Sequence, residues 1–208
     1  MYIAERTSDA VRERLALAGT LGLVAAALVA ADSLFVDAFG NEDVAPNLLG
    51  IAAPPLGILV LTGLYAHLTA HRPDRLLDAA WALNVAGLAL VSAVDFTRTF
   101  VLQRLDNDVV DDLIAAGPTK PALFGAAFVY LGGSVLFGVA LVRRRFAVPA
   151  AWLYAVTAVP SGLVALLPDV AGALAQTLAA VSIAALSWRL RTEATRPDAA
   201  HVTVASDA

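Results

Sequence analysis

Six stretches of 20 to 25 residues in this chain carry almost no charge, and that one property removes most folds from consideration. An α-helix rises about 1.5 Å per residue, so about 20 mostly apolar residues match the roughly 30 Å hydrocarbon core of a bilayer. The runs fall at 15–36, 47–70, 76–100, 121–142, 148–167 and 170–190. Each ends at residues that stop helices or prefer water. Gly40, Asn41, Glu42, Asp43 and Pro46 follow the first; His71, Arg72, Pro73 and Asp74 turn the second into the third; Arg143, Arg144 and Arg145 close the fourth; Pro168 and Asp169 separate the last two.

Composition argues against a water-soluble alternative. The 208 residues are 59% hydrophobic and 15% charged, with mean hydropathy +0.74, against roughly 45–50% apolar and about 25% charged in ordinary soluble domains. A soluble fold of this length would lack the polar groups to cover its surface, so the apolar excess must face lipid. The net charge of −4 is small and the basic residues are dispersed, which gives no footing for nucleic acid as a partner. Cysteine is absent, so disulfides, thiolate metal sites and a cysteine nucleophile are excluded within the chain. The first apolar run exceeds the roughly 7–15 residues of a signal peptide and is followed by further spans, so it reads as a retained helix.

Orientation follows from the basic residues. With the N-terminus inside, the cytoplasmic segments hold Arg6, Arg12, Arg14, Arg72, Arg75, Arg143, Arg144, Arg145, Arg189, Arg191 and Arg196, and the other side holds Arg98, Arg104 and Lys120. This is the positive-inside pattern. The expected architecture is an all-α, polytopic transmembrane bundle of six spans with both termini cytoplasmic. Its parts are a cytoplasmic segment at 1–14, the bundle at 15–190 and a disordered cytoplasmic tail at 191–208, polar and interrupted by Pro197.

Between spans three and four lies the one long connection, 101–120, on the outer side. Asp106, Asn107 and Asp108 followed by Val109, Val110, Leu113 and Ile114 predict a short amphipathic helix on the membrane, ended by Gly117-Pro118. The acids gathered here and at Asp37, Glu42 and Asp43 could attract cations, but a solvated loop explains them equally. Pro54-Pro55 in the second span and Pro160 in the fifth occupy corresponding positions if the halves are 15–100 and 121–190; no further similarity supports an inverted repeat.

Several polar residues lie within the apolar runs. Asp32 sits near the outer end of the first span and Asp95 at similar depth in the third, with Arg98 one turn on and within reach of an ion pair. Pro54 and Pro55 leave the carbonyls of Gly50 and Ile51 without their helical donors. Asn47, Ser161 and Gln176 fall in the same outer half. These residues predict either a set of local pairs reaching the headgroups or an outward-opening ligand site. Its members would be Asp32, Pro54, Pro55, Asp95, Arg98, Ser161 and Gln176.

His67 and His71 stand at i and i+4, a spacing that lets two imidazoles reach one metal ion, with Asp74 and Asp78 as the acids nearest in sequence. Two amphipathic residues at the cytoplasmic interface explain the pair as well. Val159-Pro160-Ser161-Gly162 resembles a rhomboid protease motif only in its last two residues, and no histidine follows to act as base. Gly132-Gly133-Ser134 reads as a strip that lets helices approach, as do Ser134/Gly138 and Ala175/Ala179. Trp81, Trp152 and Trp188 fall where indole rings anchor at headgroups.

In layout the chain resembles the small six-span integral membrane proteins of high-GC prokaryotes, in keeping with one lysine, Lys120, among its fourteen basic residues. That resemblance spans the membrane part, rests on no motif and implies no activity. The expected function is that of a non-enzymatic transport, ligand-binding or accessory membrane protein without a cofactor. Its partners would be the lipid bilayer and other membrane subunits or further copies of itself. The alternative is a membrane enzyme with a cytoplasmic metal site at His67 and His71.

Overall fold

The computed structural model describes residues 2–39, 44–70, 72–115, 117–163 and 169–195. Among them every regular element is helical: α1 (Tyr2–Phe39), α2 (Val44–Thr69), α3 (Arg75–Phe100), a single 3₁₀ turn (Leu102–Arg104), α4 (Asn107–Ala115), α5 (Thr119–Arg143), α6 (Val148–Gly162) and α7 (Asp169–Ala194). Five of these, α1, α2, α3, α5 and α7, contain stretches long and apolar enough to cross a membrane. The 15 residues described in α6 span about 22 Å, short of a full crossing. The remainder of the expected fifth span, 164–167, lies outside the described residues.

Helix ends depart from the apolar runs in instructive ways. The charged segment before Leu15 continues α1 back to Tyr2, because nothing between Glu5 and Arg14 breaks a helix. At the other end Thr192, Glu193 and Ala194 extend α7 into what was expected to be tail; residues 196–208 lie outside the described set. Asp74 caps α3, its carboxylate accepting the Leu76 N–H at 3.0 Å. Gly117, with φ of +80°, follows α4 in the left-handed conformation that glycine adopts without penalty.

Neighbouring helices in sequence pack side by side, and α1 packs on α7, so α1, α2, α3, α5, α6 and α7 form a closed ring, with α4 resting on α5. A methyl group at Gly19 of α1 would meet the Ser187 carbonyl and Arg191 of α7, so the start of α1 lies beside the end of α7. Small residues permit these close approaches. A Cβ at Gly133 would stand 2.5 Å from the Asn84 backbone, one at Gly63 2.6 Å from Ala18 and one at Gly138 2.6 Å from Ala155.

Packing is unequal along the ring. Large buried side chains, including Leu64, Leu77, Phe137, Leu141, Leu186 and Leu190, all lie toward the end where α1 begins and α7 finishes. Toward the other end the buried described residues are small: Ser33, Ala53, Thr99, Ala126, Ala158, Ser161 and Ala175. Large apolar side chains are exposed along the helices, among them Leu34 at 67%, Phe128 at 63% and Val170 at 73%, while Asn84, Ser134, Ser182 and Ser187 are fully buried. An apolar exterior with a few small polar groups sealed inside an otherwise apolar core is an arrangement that lipid favours and water does not.

Candidate functional site

At the small-residue end the structure draws Asp32, Asp95 and Arg98 into one electrostatic group. Asp32, half-buried on α1, turns toward α2: a Cβ at Gly50 would lie 3.2 Å from each carboxylate oxygen. Gly50 is also the residue whose carbonyl Pro54 leaves without a helical donor. Its smallness admits the carboxylate. Asp95, half-buried on α3, feels both Arg98 and Asp32 through charge. Arg98 is exposed and acts on both acids.

Pro54 and Pro55 do not break α2, which runs continuously from Val44 to Thr69 with Pro54 half-buried and Pro55 exposed. Ser161, 8% exposed on α6, donates to the Ala175 carbonyl of α7 at 3.5 Å, and Gln176 stands half-buried beside that residue. The expected site residues therefore form two groups, one on α1, α2 and α3 and one on α6 and α7, at the same end of the ring. The side chain of Asn47 lies outside the described set, as do those of Asp37, Glu42 and Asp43.

His67 lies 3.8 Å from Glu193 and packs edge-on against Phe146, with Glu193 held in turn by Arg189 at 2.8 Å. His71 lies outside the described residues. Among those described, no three histidine or acidic side chains come together as a metal site would require. Asp74 and Asp78 are engaged elsewhere. Asp74 pairs with Arg144 at 3.1 Å, and Asp78 accepts the Tyr65 hydroxyl at 3.0 Å. Partial burial draws the Asp74 carboxyl up, but the Leu76 N–H and the Arg144 guanidinium outweigh it and hold the group below the usual carboxylate range. Trp152 and Trp188 are exposed as expected of interface anchors, 51% and 60%, whereas Trp81 stacks on Tyr65 with centroids 4.6 Å apart.

A buried polar triangle, which the sequence did not announce, joins α3, α5 and α6. Asn84 of α3 donates to the Tyr154 hydroxyl of α6 at 2.8 Å; Tyr154 donates to Ser134 Oγ of α5 at 3.4 Å; Ser134 donates to Asn84 Oδ1 at 3.0 Å. Each group gives one hydrogen bond and takes one, so the ring is closed and leaves no hydroxyl unsatisfied. An asparagine alone in the middle of a span was the available signal, since a carboxamide in hydrocarbon needs a partner. Chemically the triangle can hold three helices in register. It presents no free nucleophile and no acid.

Comparison of the chain with protein-family models, with curated proteins and with solved structures gives no match.

Proposed function

We propose that the chain is a six-span membrane protein with both termini in the cytoplasm, acting as a non-enzymatic transport, ligand-binding or accessory bundle. Its small-residue end faces outward and receives the ligand or partner. The unequal packing carries this reading: large side chains plug the ring at the arginine-rich end, while the described residues buried toward the end that holds Asp32, Asp95 and Arg98 are small ones such as Ser33, Ala53, Thr99 and Ala158. Charges at that level need water or a partner, and an outward-opening polar recess supplies both. Six crossings accord with the start of α1 lying beside the end of α7, because an odd number would separate them.

The cysteine-free chain makes the recess testable. Ser33→Cys, Ile51→Cys and Ser161→Cys should each react with a charged, membrane-impermeant thiol reagent added from outside, as should Asn107→Cys in the loop. Reaction one to two turns below the surface requires water there. Labelling of Asn107→Cys with silence at all three others would show a dry bundle and refute the recess.

A further inference from the structure

A shallow apolar groove of about 700 Å³ lies on the outer face of the ring near its arginine-rich end. Ala184 and Ala185 of α7 form its floor, Leu23 of α1 and Leu153 of α6 line its sides, and Trp188 and Arg189 stand at its mouth. The two alanines make the groove, because larger residues there would level the surface between α1 and α6. We propose that this groove binds an anionic phospholipid, one acyl chain lying along the alanine floor and the headgroup phosphate meeting Arg189.

Charge and level both favour that occupant. Arg189 is bound by Glu193 through one Nη2 contact of 2.8 Å, yet its side chain is 46% exposed and a guanidinium carries five N–H donors, so several remain to meet phosphate. Ala147 also lines the groove, and the exposed Arg143 at the end of α5 and Arg145 in the short connection that follows precede it, adding positive charge nearby. Trp152 and Trp188, both exposed, mark the headgroup level at which an indole N–H and an arginine meet lipid phosphate. Basic grooves between helices on the cytoplasmic side are where anionic headgroups bind. A neutral lipid would fill the groove but offer no anion to the exposed Arg143 and Arg145 or to the N–H donors of Arg189 that Glu193 does not take.

The inference rests on the chain being membrane-embedded, and the test separates the two ideas. Trp152→Phe leaves Trp188 as the lipid-facing indole, Trp81 being stacked on Tyr65. In vesicles that carry acyl-brominated phosphatidylglycerol or acyl-brominated phosphatidylcholine at equal mole fraction, the groove predicts that Trp188 is quenched with about a fivefold preference for phosphatidylglycerol. Ala185→Phe, at a lipid-exposed position, fills the floor; Arg189→Gln removes the cation. Either should abolish the preference. Equal quenching by both lipids in the parent, or a preference that survives either substitution, overturns the groove. No quenching by either lipid would overturn membrane embedding along with it.

Discussion

Gly132 and Gly133 are adjacent in sequence and opposite in consequence. A Cβ at Gly132 would meet only Leu83 Cδ2, at 3.7 Å, whereas one at Gly133 would press on the Asn84 backbone, which cannot turn aside as a side chain can. Gly133→Ala should therefore cost about 1–3 kcal/mol as α3 and α5 are forced apart. Gly132→Ala should be neutral, or stabilise by up to about 1 kcal/mol through helix propensity. Unfolding titrations in mixed micelles read both, and equal effects would show that the α3–α5 approach is not as close as described. The same measurement tests the polar triangle. Asn84→Ala strands two buried hydroxyls and should cost about 1–3 kcal/mol. A double-mutant cycle with Tyr154→Phe should give a coupling of about 0.6–1.7 kcal/mol, and additive effects would mean that the two side chains do not interact. The glycine strip was legible because small residues four apart announce close packing. Asn84 was not, because a lone amide does not say which helices will answer it.

Helix identity was the most legible level, since a long apolar run can satisfy its backbone in lipid only as a helix. Ends were less so. The charged residues before Leu15 and after Leu190 read as non-membrane, yet charge does not stop a helix, and α1 and α7 continue through them. Pro54-Pro55 suggested an interruption that α2 does not show, because a helix held by neighbours on both sides tolerates two missing donors. Tertiary links between loops were illegible. Arg144, read only as part of a boundary, bridges the α5–α6 and α2–α3 connections by bonding Asp74 and the Arg72 carbonyl at 2.8 Å. Asp74→Asn keeps the cap on Leu76 and removes the charge that Arg144 meets. It should cost up to about 1 kcal/mol at pH 7. Because the folded carboxyl is held below its ordinary value of about 3.9, its contribution is present above that pH and is lost as pH falls through the folded value. The two proteins should thus converge in stability in acid. A difference that persists unchanged below pH 3 would assign the effect to something other than the ion pair.

At the scale of the whole molecule, the exterior departs from that of a soluble bundle: leucine, phenylalanine and valine are exposed along the helices, while Asn84, Ser134, Ser182 and Ser187 lie within an otherwise apolar core. Composition foretold the apolar exterior, since residues enough to cover a soluble surface were missing. It could not foretell the closed ring, nor the gathering of the large buried side chains at one end among the described residues, because both depend on which faces meet. The outer-end residues were legible as charges out of place in lipid. Their division into a group on α1, α2 and α3 and a group on α6 and α7 was not, because depth along a helix says nothing of position around the ring.

The central claim is an even number of crossings with the arginine-rich end in the cytoplasm, and it is tested by side-specific reporters fused after Asn107, after Arg145 and at the C-terminus. Six crossings predict an external reading at Asn107 and cytoplasmic readings at Arg145 and the C-terminus. A C-terminus on the same side as Asn107 would leave five spans, and a reversal at all three positions would place the arginines outside; either result contradicts the account.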